Sequence, residues 1–229
     1  RYPDRWWSDD DEGSHNMHEA FLLGEWLKRN GRNTPFNYQK ITSLNQAKAM
    51  LDAVGSALNN PLEVLVYNFV DMLSHARSEM NIIKELAEDE AAYRSITRSW
   101  LEHSPLLEYL EIAASRGYTM VLTTDHGMVK VEDPVRISGD REMSTNLRYK
   151  EGRNLQVQAD STFSIRSPEK VQLPRKHLNS TYVLASSDQF FCYPNNFHYY
   201  AGLYRNSFQH GGISMEECIV PFGVFRPRQ

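Results

Sequence analysis

Three places in the sequence combine side chains able to bind a metal ion with the expected end of a buried element. Asp71-Met-Leu-Ser-His75 follows an apolar run. If the chain turns into a helix there, Asp71 and His75 fall one turn apart on one face, and a carboxylate and an imidazole so placed can grip a single ion. Thr123-Thr-Asp125-His126-Gly127 ends a second apolar run. Adjacent side chains diverge on a strand, but a tight turn helped by Gly127 lets Asp125 and His126 converge. Gln209-His210-Gly-Gly212 precedes Ile-Ser-Met-Glu-Glu217. Its two glycines let backbone approach a ligand closely, and His210 can reach inward. Each place also has a purely structural reading. Asp71 serves as a helix N-cap, Asp125 and Gly127 as ordinary turn residues, and Gly211-Gly212 as a turn into a short helix that Ser214 and Glu217 close with a capping box.

Taken together, these places hold two aspartates and three histidines. Neutral imidazole and carboxylate suit Zn²⁺ and accept Mn²⁺ or Mg²⁺ less selectively. Five ligands exceed the needs of one four-coordinate site. Two ions about 3.5–4 Å apart would use all five and would suit phosphoryl transfer. The basic residues Arg141, Arg148, Lys150 and Arg153 follow the Asp-His-Gly turn. They read either as a cluster that steers a phosphate or nucleotide backbone, or as a solvated loop interspersed with Glu142 and Glu151. Tyr193, Phe197, His198, Tyr199 and Tyr200 read as a base-stacking platform or as packing. His15, His18, His103 and His177 have no partners at ligand spacing.

The elements that must position these residues follow from apolar periodicity. Phe21, Leu22, Trp26 and Leu27 predict a helix over 17–30, stopped by Gly31. Leu44, Ala47, Leu51 and Val54 predict another over 43–54, with Gly55 after it. The nearly continuous apolar run 62–70 predicts a central strand covered on both faces. Residues 88–116 form a long helical pattern in which Pro105 predicts a break. Residues 118–124 predict a second buried strand, and the order strand, helix, strand implies a parallel sheet. The expected fold is therefore α/β, with a mostly parallel central sheet flanked by helices. Residues 128–205, rich in short Val/Thr/Tyr segments and turn formers, predict an inserted region of loops and short antiparallel strands. Residues 219–225 predict a last strand, with Pro221 marking an edge or irregular start. Residues 1–16, with the acidic run Asp9-Asp-Asp-Glu12, predict a polar loop.

Composition sets the outer limits. The 229 residues suffice for one large domain or two small ones, and 41% hydrophobic with 24% charged residues suits a globular chain with its own core. A net charge of -4 excludes a global basic field of the kind nucleic-acid binders carry. Cys192 and Cys218 are too few for a disulfide scaffold and point to a reducing compartment. No apolar run approaches the about 18 residues of a membrane span. The chain opens at Arg1, without an initiating Met or the apolar core of a signal peptide, and reads as a piece of a longer product.

The strand-end Asp-x-x-x-His, the Thr-Thr-Asp-His-Gly turn and the late His-Gly-Gly, in that order, resemble the alkaline-phosphatase superfamily. Thr-Asp-His-Gly is the most specific piece. The string His210-Gly-Gly-Ile-Ser-Met-Glu-Glu-Cys-Ile-Val-Pro221 and the opening Tyr2-Pro-Asp-Arg-Trp-Trp7 resemble PglZ domains. Among these, the output domain of PorX-like response regulators is the nearest match. The resemblance covers essentially the whole chain, as one partial domain over residues 1–229.

The resemblance implies an alkaline-phosphatase-like fold with two zinc sites: Asp71, His75 and His210 at one ion, and Asp125 and His126 at the other. It also implies a further aspartate and a Thr or Ser nucleophile, both expected upstream of residue 1. No catalytic nucleophile is therefore assigned within the chain, and the fragment alone is expected to be inactive. The intact protein is expected to be a phosphodiesterase or phosphatase acting on a phosphoester, nucleotides or oligonucleotides among them. The PorX-like match implies a cytoplasmic two-component regulator that forms a homodimer. The alternative is a regulatory or docking module whose metal sites are structural, and a phosphomutase or sulfatase of the same superfamily is a third reading.

Overall fold

A computed structural model describes residues 18–70, 72–73, 86, 89–140, 144–157 and 162–227. These fall into two units, one drawn from residues 16–122 with 222–227, the other from residues 123–221.

The first unit begins with α1 (Glu19–Arg29), which buries Leu27 and ends before Gly31 at φ 68°. Then β1 (Phe36–Ile41), α2 (Leu44–Ala57) and β2 (Leu62–Tyr67) form a βαβ unit. Its strands are parallel, with Phe36 opposite Leu62 and Ile41 opposite Tyr67. The helix starts where Ser43 Oγ accepts the Gln46 N–H at 3.3 Å, satisfying one of the donors every helix start leaves open. Two further helices follow. Asp89 caps α3 (Glu90–Glu102) by accepting the Ala92 N–H at 2.8 Å. Pro105 opens α4 (Pro105–Ser115), where its missing N–H costs nothing. Ile41, Ala47, Met50, Val54, Leu58, Tyr109 and Ala113 make the core, so α2 and α4 meet over one sheet face.

The break at Pro105 is where the sequence places it. The parallel pair is not. The strand beginning at Leu62 pairs with Phe36–Ile41, whose mixed Phe-Asn-Tyr-Gln-Lys-Ile composition carries only a weak alternation, rather than with residues 118–124. The latter contribute β3 (Met120–Thr123), which pairs with β12 (Phe222–Phe225). The expected burial of β3 is also corrected. Val121 is 54% and Leu122 53% exposed, and Phe222, Val224 and Phe225 on its partner are more than half exposed. A ladder of two strands supplies no layer of its own to cover such side chains.

The second unit carries the short strands expected over 128–205. They are β4 (Val129–Lys130), β5 (Asp133–Ser138), β6 (Tyr149–Arg153), β7 (Gln156–Val157), β8 (Phe163–Ile165), β9 (Ser180–Leu184) and β10 (Gln189–Cys192). A helix, α5 (Phe197–Tyr204), the strand β11 (Phe208–Gln209) and the one-turn helix α6 (Met215–Cys218) complete it. β9 lies between β6 and β8 in an antiparallel sheet. β10 joins β5 in parallel and is buried along its whole length. One core cluster gathers Val135, Ile137, Val183, Ala185 and Phe191, and a second gathers Val131, Phe190 and Cys192.

A mostly parallel central sheet is thus not what the described residues form. They make five small sheets of two or three strands. β1–β2 and β5–β10 pair in parallel, and β4–β11, β5–β7, β6–β9 and β8–β9 are antiparallel. Among the described residues, no helix is long and apolar enough to cross a membrane.

The two cysteines are free thiols, Cys192 buried and Cys218 exposed. Burial pushes the Cys192 thiol up to about 11, against the opposing pull of the Lys150 charge. A disulfide reagent is therefore expected to modify Cys218 in the native chain and Cys192 only after denaturation, because the thiolate is the reacting form. The check is release of one chromophore equivalent before guanidinium and a second after it. Equal rates for both would contradict the burial of β10.

Candidate functional site

The turn after β3 is closed by its own side chains. Thr124 Oγ1 donates to the His126 carbonyl at 3.0 Å, and Asp125 Oδ1 accepts the His126 N–H at 3.1 Å. Thr123 Oγ1 reaches across to the Pro221 carbonyl at 2.8 Å. His126 Nδ1 lies 3.0 Å from the Gly127 carbonyl, a contact that assigns the ring proton to Nδ1 and leaves the Nε2 lone pair for a ligand. That Nε2 is 3.8 Å from Asp125 Oδ1. Zinc binds imidazole nitrogen and carboxylate oxygen at about 2.0–2.2 Å, so two donors at this separation fall within reach of one ion. Asp125 is largely exposed and His126 about one-third exposed, so both are accessible to an incoming ion.

Gly127 has a role other than the tight turn expected of it. Its φ lies outside the left-handed region, and a Cβ there would sit 1.9 Å from the Glu216 carbonyl oxygen. Its N–H donates to the Glu217 carbonyl at 2.9 Å. The glycine is needed because the backbone of α6 lies directly against it.

β11 brings in the third motif. Its antiparallel pairing, Phe208 opposite Lys130 and Gln209 opposite Val129, sets His210 alongside the chain leaving the Asp-His-Gly turn. The rings of His126 and His210 stack with centroids 3.9 Å apart and planes 16° from parallel. Gly211 takes φ +107°, a conformation side chains other than glycine rarely adopt. Gly212 is confined differently, because a Cβ there would lie 2.5 Å from the Ala185 carbonyl oxygen.

Beneath these turns lies a buried ion pair that motif reading misses. Arg148 and Glu217 are both buried. Arg148 Nε donates to Glu217 Oε1 at 2.9 Å and Nη2 to Oε2 at 2.6 Å, a bidentate fork. Oε1 also accepts the Gly212 N–H at 2.9 Å, and Oε2 the Ser214 N–H at 2.9 Å and hydroxyl at 2.7 Å. The guanidinium further donates to the carbonyls of Gln189 and Ala185. Burial on its own would raise the Glu217 carboxyl. The bonds from Arg148, Ser214 and Gly212 outweigh it and hold the group below the usual glutamate range. The capping bond from Ser214 expected of Glu217 is present, but it is one part of a larger network.

Both readings of the basic cluster are corrected for its buried members. Arg148 is neither solvated nor directed at a surface ligand. Lys150 is equally buried, donating to the Ser144 carbonyl at 2.8 Å and lying 4.8 Å over the Tyr193 ring. The available signal was their spacing. Arg148 directly precedes β6 and Lys150 lies in it, two positions apart, and both are buried while Tyr149 between them is partly exposed. Arg153, at the surface, pairs with Asp140 at 3.2 Å. Arg141 lies outside the described residues, as do Asp71, His75 and the expected polar loop over 1–16. Of the aromatic run, Phe197 packs on the second core cluster beneath the Arg136 guanidinium, whereas Tyr199 is exposed.

Asp125, His126 and His210 are therefore brought to one side of the second unit. Among the described residues, no group of three or more His, Cys, Asp or Glu side chains is set ready to hold an ion. The donor types suit a transition-metal ion, and the Asp125–His126 separation fits one. No curated protein matches the chain. A family model described as the BREX system PglZ alkaline phosphatase-like domain matches residues 6–224. With that match spanning nearly its full length, the chain belongs to the PglZ family of alkaline-phosphatase-like domains.

Proposed function

We propose that this chain supplies Asp125 and His126 to one divalent ion and His210 to a neighbouring one, in a centre that hydrolyses phosphoesters. The observation that carries the reading is the stacked His126–His210 pair, in which two turns far apart in sequence deliver ligand-type imidazoles to one place. Two imidazoles and a carboxylate favour zinc over magnesium. A divalent ion held there would supply Lewis acidity toward a phosphoryl oxygen and would lower the pKa of an attacking hydroxyl. The chain's own residues prepare the place. The Gly127 carbonyl orients the His126 ring and keeps Nε2 open, and Thr124 fixes the turn that presents Asp125. Arg148 and Lys150 take no part in gripping substrate in this proposal, since their charges are engaged inside the unit.

The same proposal extends to Asp71 and His75 by their motif alone, and to a PorX-like response-regulator output domain by the strings at Tyr2–Trp7 and His210–Pro221. The test is metal content by mass spectrometry on the wild-type chain and on its Asp125→Ala and His210→Ala variants after zinc loading. The expected result is zinc in the wild type and its loss from both variants. Equal zinc in all three chains would remove these residues from the centre.

A further inference from the structure

Glu217 is one residue with two attachments. Its main-chain carbonyl accepts the Gly127 N–H at 2.9 Å, and its side chain accepts the Gly212 N–H at 2.9 Å. Gly127 directly follows His126, and Gly212 lies two residues after His210. The two turns that carry the imidazoles are therefore tied to the same residue. Arg148 fixes the carboxylate in its plane through the bidentate fork, and the backbone carbonyls of Gln189 and Ala185 hold the guanidinium in turn. Gly212 is pressed against this assembly as well, 2.8 Å from Arg148 Nη2 at the position of its missing Cβ.

We propose that Glu217, oriented by Arg148, is a positioning residue that sets the spacing of His126 and His210 and hence the metal affinity of the pair. The inference rests on the metal reading above and adds a residue that touches neither the ion nor the substrate. Glutamine cannot substitute for this carboxylate. Both oxygens accept main-chain N–H groups, and an amide offers one acceptor and places an N–H₂ against a donor on the other side.

A double variant, Arg148→Met with Glu217→Gln, separates this role from fold stability, because it leaves no unpaired charge inside the unit. Glu216→Gln, on the exposed neighbour, is the control. Two quantities are read on each chain: amide hydrogen exchange residue by residue without metal, and zinc affinity by competition with a chromophoric chelator. In the double variant, exchange at Gly212 or Ser214 is expected to quicken at least tenfold with the strands β5, β9 and β10 still protected. Zinc affinity is expected to weaken about tenfold, the lower end of the effect of removing support behind a ligand. Glu216→Gln should match the wild type in both.

Wild-type exchange and wild-type affinity in the double variant would overturn the proposal. So would faster exchange spread evenly through the strands, which would mark a structural role only. A wild-type chain that takes up no zinc would overturn the metal reading instead, with the exchange data still deciding whether Glu217 ties the turns.

Discussion

Replacing Gly127 with alanine is expected to destabilise the 123–221 unit by about 3 kcal/mol, the upper end of what overpacking usually costs. The new methyl carbon would meet the Glu216 carbonyl oxygen at 1.9 Å. That atom is backbone, so no rotamer change relieves the overlap. Either α6 moves away, losing the Gly127–Glu217 bond, or the Asp-His-Gly turn moves. Gly202 gives the internal contrast. It lies in α5, and a Cβ added there would meet nothing within 4 Å, so Gly202→Ala should stabilise the same unit by about 0.5–1 kcal/mol through reduced freedom of the unfolded chain. Urea denaturation of the two variants beside the wild type provides the check. Midpoint shifts of the same sign would show that α6 is not packed against the turn.

Arg148→Met is expected to cost about 3–5 kcal/mol, because it leaves the Glu217 carboxylate buried without its ionic partner. The loss is not a measure of what the pair contributes. Taking both groups out of water is itself costly, and the double variant Arg148→Met with Glu217→Gln, which leaves no unpaired charge, is expected to lose less than the two single losses summed. A double-mutant cycle by urea denaturation measures the coupling. Single losses that simply add in the double variant would show that the two residues act independently.

The closeness of two of the motifs was more legible in the sequence than the sheets around them. Asp125-His126-Gly127 and His210-Gly-Gly are short, chemically loaded strings, and the sequence marks them as one site without knowing the fold. Their closeness is visible as a stacked ring pair. The break at Pro105 was legible for a related reason: a proline acts on its own backbone, and the caps Ser43 and Asp89 likewise act on N–H groups only three residues on. Strand pairing depends on partners far along the chain. Nothing in Phe36–Ile41 announces that it will lie beside Leu62–Tyr67, and nothing in the apolar run at Met120–Thr123 says that its partner is Phe222–Phe225. Arg148 was obscured by its type. A guanidinium reads as surface until the carboxylate that neutralises it is located, and here that carboxylate is 69 residues away.

That distance has a counterpart in time. At roughly 5–20 residues per second, the ribosome makes Glu217 about 3–14 s after Arg148. Strand β6 can pair with β9, and β5 with β10, within that interval, while the Arg148 cation still lacks its anion. The same late segment brings His210 and the backbone that seats against Gly127. Synthesis thus reaches the strands first and the segment with His210 and Glu217 last, and a product stalled short of residue 217 lacks the carboxylate that neutralises Arg148.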